Sequence, residues 1–142
     1  MPPHDRLDLA RVLLARAVDD ETLVRKVCSD ADVADSIVGF HAQQAVEKLI
    51  TALLSQLSIA FDYTDDISKL ALQLEEASEK LPVVPVALSE LNKFAVVYRY
   101  DSTPNLEIPH RPAVIETVRL IREHIHARIV ALSGSPLPPP LQ

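Results

Sequence analysis

The chain is nearly without glycine. Only Gly39 and Gly134 occur in its 142 residues. A phosphate-cradling loop needs several closely spaced glycines, so P-loop and dinucleotide-fold readings are excluded. Cysteine is scarcer still, with Cys28 alone. A single cysteine allows no internal disulfide and no cysteine cluster for zinc. It points to a reducing, cytosolic setting, with Cys28 read as a small buried hydrophobe. Positive charge is also short. The formal net charge of -6 argues against a strongly basic, non-specific nucleic-acid binder. No unbroken apolar run approaches the roughly 20 residues of a membrane helix. The opening MPPHDRLD carries no apolar signal core. No histidine and carboxylate show metal-ligand spacing such as His-Glu-x-x-His. The expectation is a cytoplasmic protein, off the membrane, without metal or cofactor.

What the chain does have is apolar residues in helical register. Hydrophobic residues make up 48% against 24% charged, a globular balance. A chain of this length forms one domain and buries roughly 70% of its unfolded surface. Leu7, Ala10, Leu13, Leu14, Ala17 and Val18 recur at three- and four-residue steps, so a first amphipathic helix runs to about Val27. Asp19, Asp20 and Glu21 interrupt its apolar face. Ser29-Asp30-Ala31-Asp32 can cap a second helix, from about Ala31 to Leu57. Val33, Ile37, Phe40, Ala45, Leu49, Ala52, Leu53 and Leu57 mark its buried side. Gly39 inside it costs about 1 kcal/mol relative to Ala, and close approach by a neighbouring helix would explain it.

Thr64 or Asp65 starts a third helix, with Ile67, Leu70, Leu74 and Ala77 inward. Pro82 and Pro85 break it, and Pro85 can open a fourth that ends near Tyr100. Pro112 marks a fifth, with Val114, Ile115, Val118, Ile121, Ile125 and Ile129 inward, ended by Ser133-Gly134. No strand signal survives. The fold class is all-α, an antiparallel bundle of about five helices. Residues 1–132 form the bundle and 133–142 a Pro-rich disordered tail.

The most informative stretch is Phe40-His41-Ala42-Gln43-Gln44-Ala45-Val46-Glu47-Lys48-Leu49-Ile50. Gln44, Glu47, Lys48 and Thr51 lie at steps of three and four and share one helix face. Polar groups flanked so closely by apolar ones must find partners or stay wet. Arg99-Tyr100, at the end of the fourth helix, can supply one, with Arg99 to Glu47 a charge-assisted contact. The segment FHAQQAVEKLI, followed by VVYRYD, resembles the HEPN family (higher eukaryotes and prokaryotes nucleotide-binding), over roughly residues 7–130. The resemblance implies a helical bundle, often dimeric. It implies a nucleotide or partner-binding site at Gln44, Glu47, Lys48, Arg99 and Tyr100. It also implies a place in a two-gene toxin–antitoxin type system, beside a minimal nucleotidyltransferase. Members of this type often read Arg-Tyr-Pro, where this chain has Arg99-Tyr100-Asp101.

Ribonuclease members of the family carry an Arg and a His with four to six residues between them. Arg stabilises phosphate charge there and His serves as acid or base. Arg119 and His124 match that spacing and are the candidate catalytic pair of an alternative reading, a metal-independent endoribonuclease. The last helix also holds four arginines between Arg111 and Arg128, with His124 and His126; they read as scattered helix-surface charges or, doubled across a dimer axis, as a local basic groove for an RNA backbone. His41 reads as a satisfied helix histidine. Glu75, Glu76 and Glu79 read as a solvated acidic run. A purely structural dimerisation module is the third alternative.

Overall fold

The computed structural model describes the backbone of residues 3–61, 64, 66–100 and 110–134, and the side chains of these except 3–7 and 96–100. Among the described residues there are five helices and no strand. They are α1 (Pro3–Val27), α2 (Asp35–Gln56), α3 (Ile67–Glu76), α4 (Leu88–Tyr100) and α5 (Arg111–Ser133). The all-α expectation is borne out. Residues 101–109, expected as a loop, and the Pro-rich segment from 135 onward lie outside the described residues.

The composition of α2 makes it the central helix. Its buried positions run almost all round, from Val38 and Gly39 to Leu54 and Ser55. A helix apolar on every side must be surrounded, and α2 packs against each of the other four. Leu49, Ile50, Leu53 and Leu54 share one buried cluster with Leu70 and Leu74 of α3 and with Ile121, Ile125 and Ile129 of α5. Each such side chain contributes about 1.5–3 kcal/mol by leaving water. Two positions depart from the sequence pattern. Ile37 is exposed rather than inward, and Val33 precedes the helix.

Gly39 is where α4 crosses α2. A Cβ at this position would lie 2.4 Å from Cδ1 and Cγ of Phe94. The missing side chain lets the Phe94 ring, itself buried, rest on the α2 backbone. This is the close approach that the isolated glycine suggested.

The α1–α2 corner is organised from a distance rather than by its own capping residues. Asp30 Oδ1 accepts the backbone N–H of Asp32 in a local turn. The cap of α2 is therefore Ala34, which offers no side-chain acceptor, and the helix begins at Asp35 instead of Ala31. Arg111, in the first turn of α5, reaches across instead. It donates to Asp35 Oδ1 at 2.9 Å and to the carbonyls of Val27, Cys28, Asp30 and Val33 at 2.6–3.3 Å. Two of these carbonyls, Val27 and Asp30, also accept a backbone N–H, and one guanidinium ties all four together.

The remaining ends are set locally. Asp66 caps α3 by accepting from the N–H groups of Ser68 and Lys69, so the helix starts after Asp66 rather than at Thr64 or Asp65. Asn92 of α4 ties in, donating to Asp66 Oδ1 and accepting from the Ile67 N–H. The prolines do not end α3. Ser78, at φ 64°, turns the chain first, with Glu79 N–H bonded to Leu74 O and Ser78 N–H to Glu75 O. That is the left-handed stop usually given to glycine. Ser58, at φ 59°, ends α2 in the same way. Pro85 opens no helix: α4 begins at Leu88, and the Val86 N–H donates to Thr117 Oγ1 of α5.

Candidate binding site

The acidic interruption of α1 organises the polar seam between α1 and α2. Asp20 and Glu21 lie on or beside a stripe that is otherwise Ala10, Leu14, Ala17 and Val24, all buried. A carboxylate in such a place needs partners, and each has found a different helix. Glu21, buried, accepts from Arg122 Nε of α5 at 2.6 Å. Asp20 turns to α2. Its Oδ1 accepts from His41 Nδ1 at 3.0 Å and its Oδ2 from Lys48 Nζ at 2.5 Å.

His41, Gln44 and Lys48 follow one another at steps of three and four, so they line one edge of α2. Gln44 Nε2 donates to the Gln43 amide oxygen at 2.8 Å and to Glu47 Oε2 at 2.9 Å. Gln43 is fully buried and acts as the inner wall of this network. Thr51 shares the face by spacing but turns inward. Its hydroxyl donates to the carbonyls of Glu47 and Lys48 on its own helix. The result is a polar row with two carboxylates, Asp20 and Glu47, one ammonium, one imidazole and two amides. The Asp20 side chain is 13% exposed, while His41 and Lys48 keep 25% and 30%. Solvent, or a ligand, therefore reaches His41 and Lys48 more readily than the Asp20 carboxylate behind them. Lys48 retains ammonium protons beyond its contact to Asp20, since an ammonium has three. An anion is the ligand chemistry that such donors fit.

Sequence reasoning singled out Gln44, Glu47 and Lys48, and the structure brings them together. It adds Asp20 and gives His41 a specific role, where the sequence suggested only a satisfied helix histidine. The available signal was the acidic pair on an apolar stripe. Arg99 and Tyr100 stand in the last turn of α4, and their side chains lie outside the described ones, so the expected Arg99–Glu47 contact does too.

The last helix differs from its sequence reading. Its four arginines are all engaged. Arg111 holds the α1–α2 corner, Arg122 meets Glu21, and Arg128 grips Glu79 through Nε and Nη2 at 3.0 and 2.7 Å. Arg119 lies between Glu116 and Glu123 on its own helix. The expected basic groove is thus largely neutralised by carboxylates. Glu79 is likewise no part of a solvated run, since its side chain is 12% exposed. The hydrogen bond to Arg119 holds the Glu116 carboxyl below its usual range. The Glu79 bond raises Arg128 further above neutrality. His124 stands five positions after Arg119, a turn of roughly 140° around the helix. The Nε2 atoms of His124 and His126 are shut from solvent without a hydrogen-bond partner.

The family model described as HEPN domain matches residues 10–126, most of the chain. The resemblance carried by FHAQQAVEKLI and VVYRYD is thereby borne out. No curated protein and no solved structure gives a significant match. No helix among the described residues is long and apolar enough to cross a membrane.

Proposed function

We propose that this chain, which belongs to the HEPN domain family, binds a nucleotide-bearing ligand along the α1–α2 seam. Membership in the family supports a nucleotide-binding or ribonuclease-like module. The observation that favours binding is the Asp20–His41–Lys48 cluster, with the Lys48 ammonium and the His41 ring reachable from solvent and the Asp20 carboxylate turned in. Lys48 offers charge to a phosphate, and Gln44 and Glu47 shape the row beside it; the family resemblance adds Arg99 and Tyr100 of α4 as further candidates for binding the ligand. In this reading the chain is a cytoplasmic homodimer. It works as one component of a two-gene toxin–antitoxin type system, with a minimal nucleotidyltransferase as partner.

The alternative is a metal-independent endoribonuclease in which Arg119 and His124 act on an RNA phosphate. What weighs for the binding reading is the commitment of Arg119 to two glutamates. Titration calorimetry with ADP and with a short RNA separates the two. Lys48→Ala should weaken ADP binding about tenfold, the loss of one charge-assisted contact of roughly 1.4 kcal/mol. Lys48→Ala binding as tightly as the unaltered chain would overturn the assignment of the seam. RNA cleavage without metal, lost in an Arg119→Ala/His124→Ala variant that still folds, would establish the alternative. A dimer that binds neither ligand would leave a structural dimerisation module.

A further inference from the structure

The hydrogen bonding of Asp20 decides which group of a ligand His41 can meet. A carboxylate only accepts, so the proton in the 3.0 Å contact lies on His41 Nδ1. When Nδ1 carries the only proton of the ring, Nε2 presents a lone pair. No described residue hydrogen-bonds to Nε2, and the side chain is a quarter exposed. The ring is held in place by Phe40, which meets it edge-on at a centroid distance of 5.3 Å. The other oxygen of the same carboxylate is taken by Lys48. One aspartate therefore sets two groups of opposite character side by side, an ammonium that donates and an imidazole nitrogen that accepts. A phosphate oxygen suits the first and is repelled by the second. A hydroxyl suits the second.

We infer that His41 Nε2 accepts a hydrogen bond from a ribose hydroxyl of the nucleotide whose phosphate Lys48 holds. Asp20 is the positioning residue for both. The inference rests on the nucleotide-binding reading above and narrows it. The seam selects ribonucleotides over their deoxy counterparts, because a ribose hydroxyl is the group that distinguishes them. Exposed Arg16 lies one helical turn before Asp20 on α1, where it extends the donor side of the row.

The test uses the full chain and three probes without added metal: ADP, 2′-deoxy-ADP and 3′-deoxy-ADP. Calorimetry should show ADP binding about three- to tenfold tighter than the analogue lacking the contacted hydroxyl, the value of one neutral hydrogen bond. The ratio should fall to about one in His41→Ala and in Asp20→Asn. Nitrogen-15 spectra of the His41 ring at pH 7.5 should place the single proton on Nδ1, and that preference should vanish in Asp20→Asn. Equal affinity for all three probes would overturn the inference while leaving nucleotide binding intact. No binding of any probe would overturn both. A proton on Nε2, alone or in addition, would also overturn the hydroxyl contact. So would an Asp20→Asn protein that melts earlier yet keeps the ribose preference, since that is a purely structural aspartate. If Asp20→Asn fails to fold, His41→Ala and the spectrum of the unaltered chain decide the matter.

Discussion

Replacing Gly39 by alanine sets two effects against each other, and the geometry says which wins. Alanine in a helix interior is favoured over glycine by about 1 kcal/mol. On an open face Gly39→Ala would therefore stabilise the protein. Here the new Cβ would meet three Phe94 ring atoms at 2.4, 2.4 and 2.7 Å. Carbon atoms pack at about 3.5–4.0 Å, so the ring must retreat by about 1 Å or more. These atoms belong to the body of a buried ring rather than to the end of a flexible chain, and forcing such a shift costs typically 1–3 kcal/mol. The expected net is a loss of up to about 2 kcal/mol. Urea unfolding followed by circular dichroism reads it directly, at unchanged m-value. Phe94→Leu supplies the control. In that background Gly39→Ala should cost much less or become favourable, a coupling of about 1–3 kcal/mol in the double-mutant cycle. A Gly39→Ala chain as stable as the original, with no coupling to Phe94, would refute the claim that this glycine exists for helix contact.

Three further outcomes follow from the contacts. Arg122→Ala leaves the Glu21 carboxylate buried without its partner and should cost about 3–5 kcal/mol by chemical denaturation, whereas Glu21→Gln/Arg122→Met should recover most of that. Ser58→Gly and Ser78→Gly relieve left-handed backbone at both helix stops and should each raise stability by about 0.5–1 kcal/mol, read as a higher denaturation midpoint. Glu116 has a lowered folded pKa because Arg119 hydrogen-bonds to it. Its contribution is present above the ordinary carboxylate range and fades as pH falls through the lowered value. A small stability difference between the unaltered chain and Glu116→Gln at pH 7 should therefore shrink on acidification and with added salt.

The elements whose cores repeat at helical steps were legible in the sequence, because burial enforces the period. That holds for α1, for the body of α2 and for α5, whose start at Arg111-Pro112 and stop at Gly134 carry the residues those positions favour. The ends of α2 and α3 were less legible. Ala34 has no side-chain acceptor, and the corner is held by Arg111 from the far side of the chain. No local reading reveals that. Ser58 and Ser78 adopt backbone that sequence would assign to glycine. Half of the seam could be read from Gln44, Glu47 and Lys48 on one face. Asp20 could not be matched to them, because it lies on another helix and only packing pairs the two. The arginines of α5 misled for the same reason, since their neutralising partners Glu21, Glu79 and Asp35 stand far away in sequence.

The most direct test of the central claim is a map of amide chemical-shift changes as ADP is titrated into the isotope-labelled chain. The account expects the largest changes along the seam, at residues 16–24 of α1 and 41–51 of α2, with Lys48→Ala abolishing them at the same ADP concentration. Changes confined to the outer face of α5 around Arg119, or none at any concentration where the chain stays folded, would contradict it.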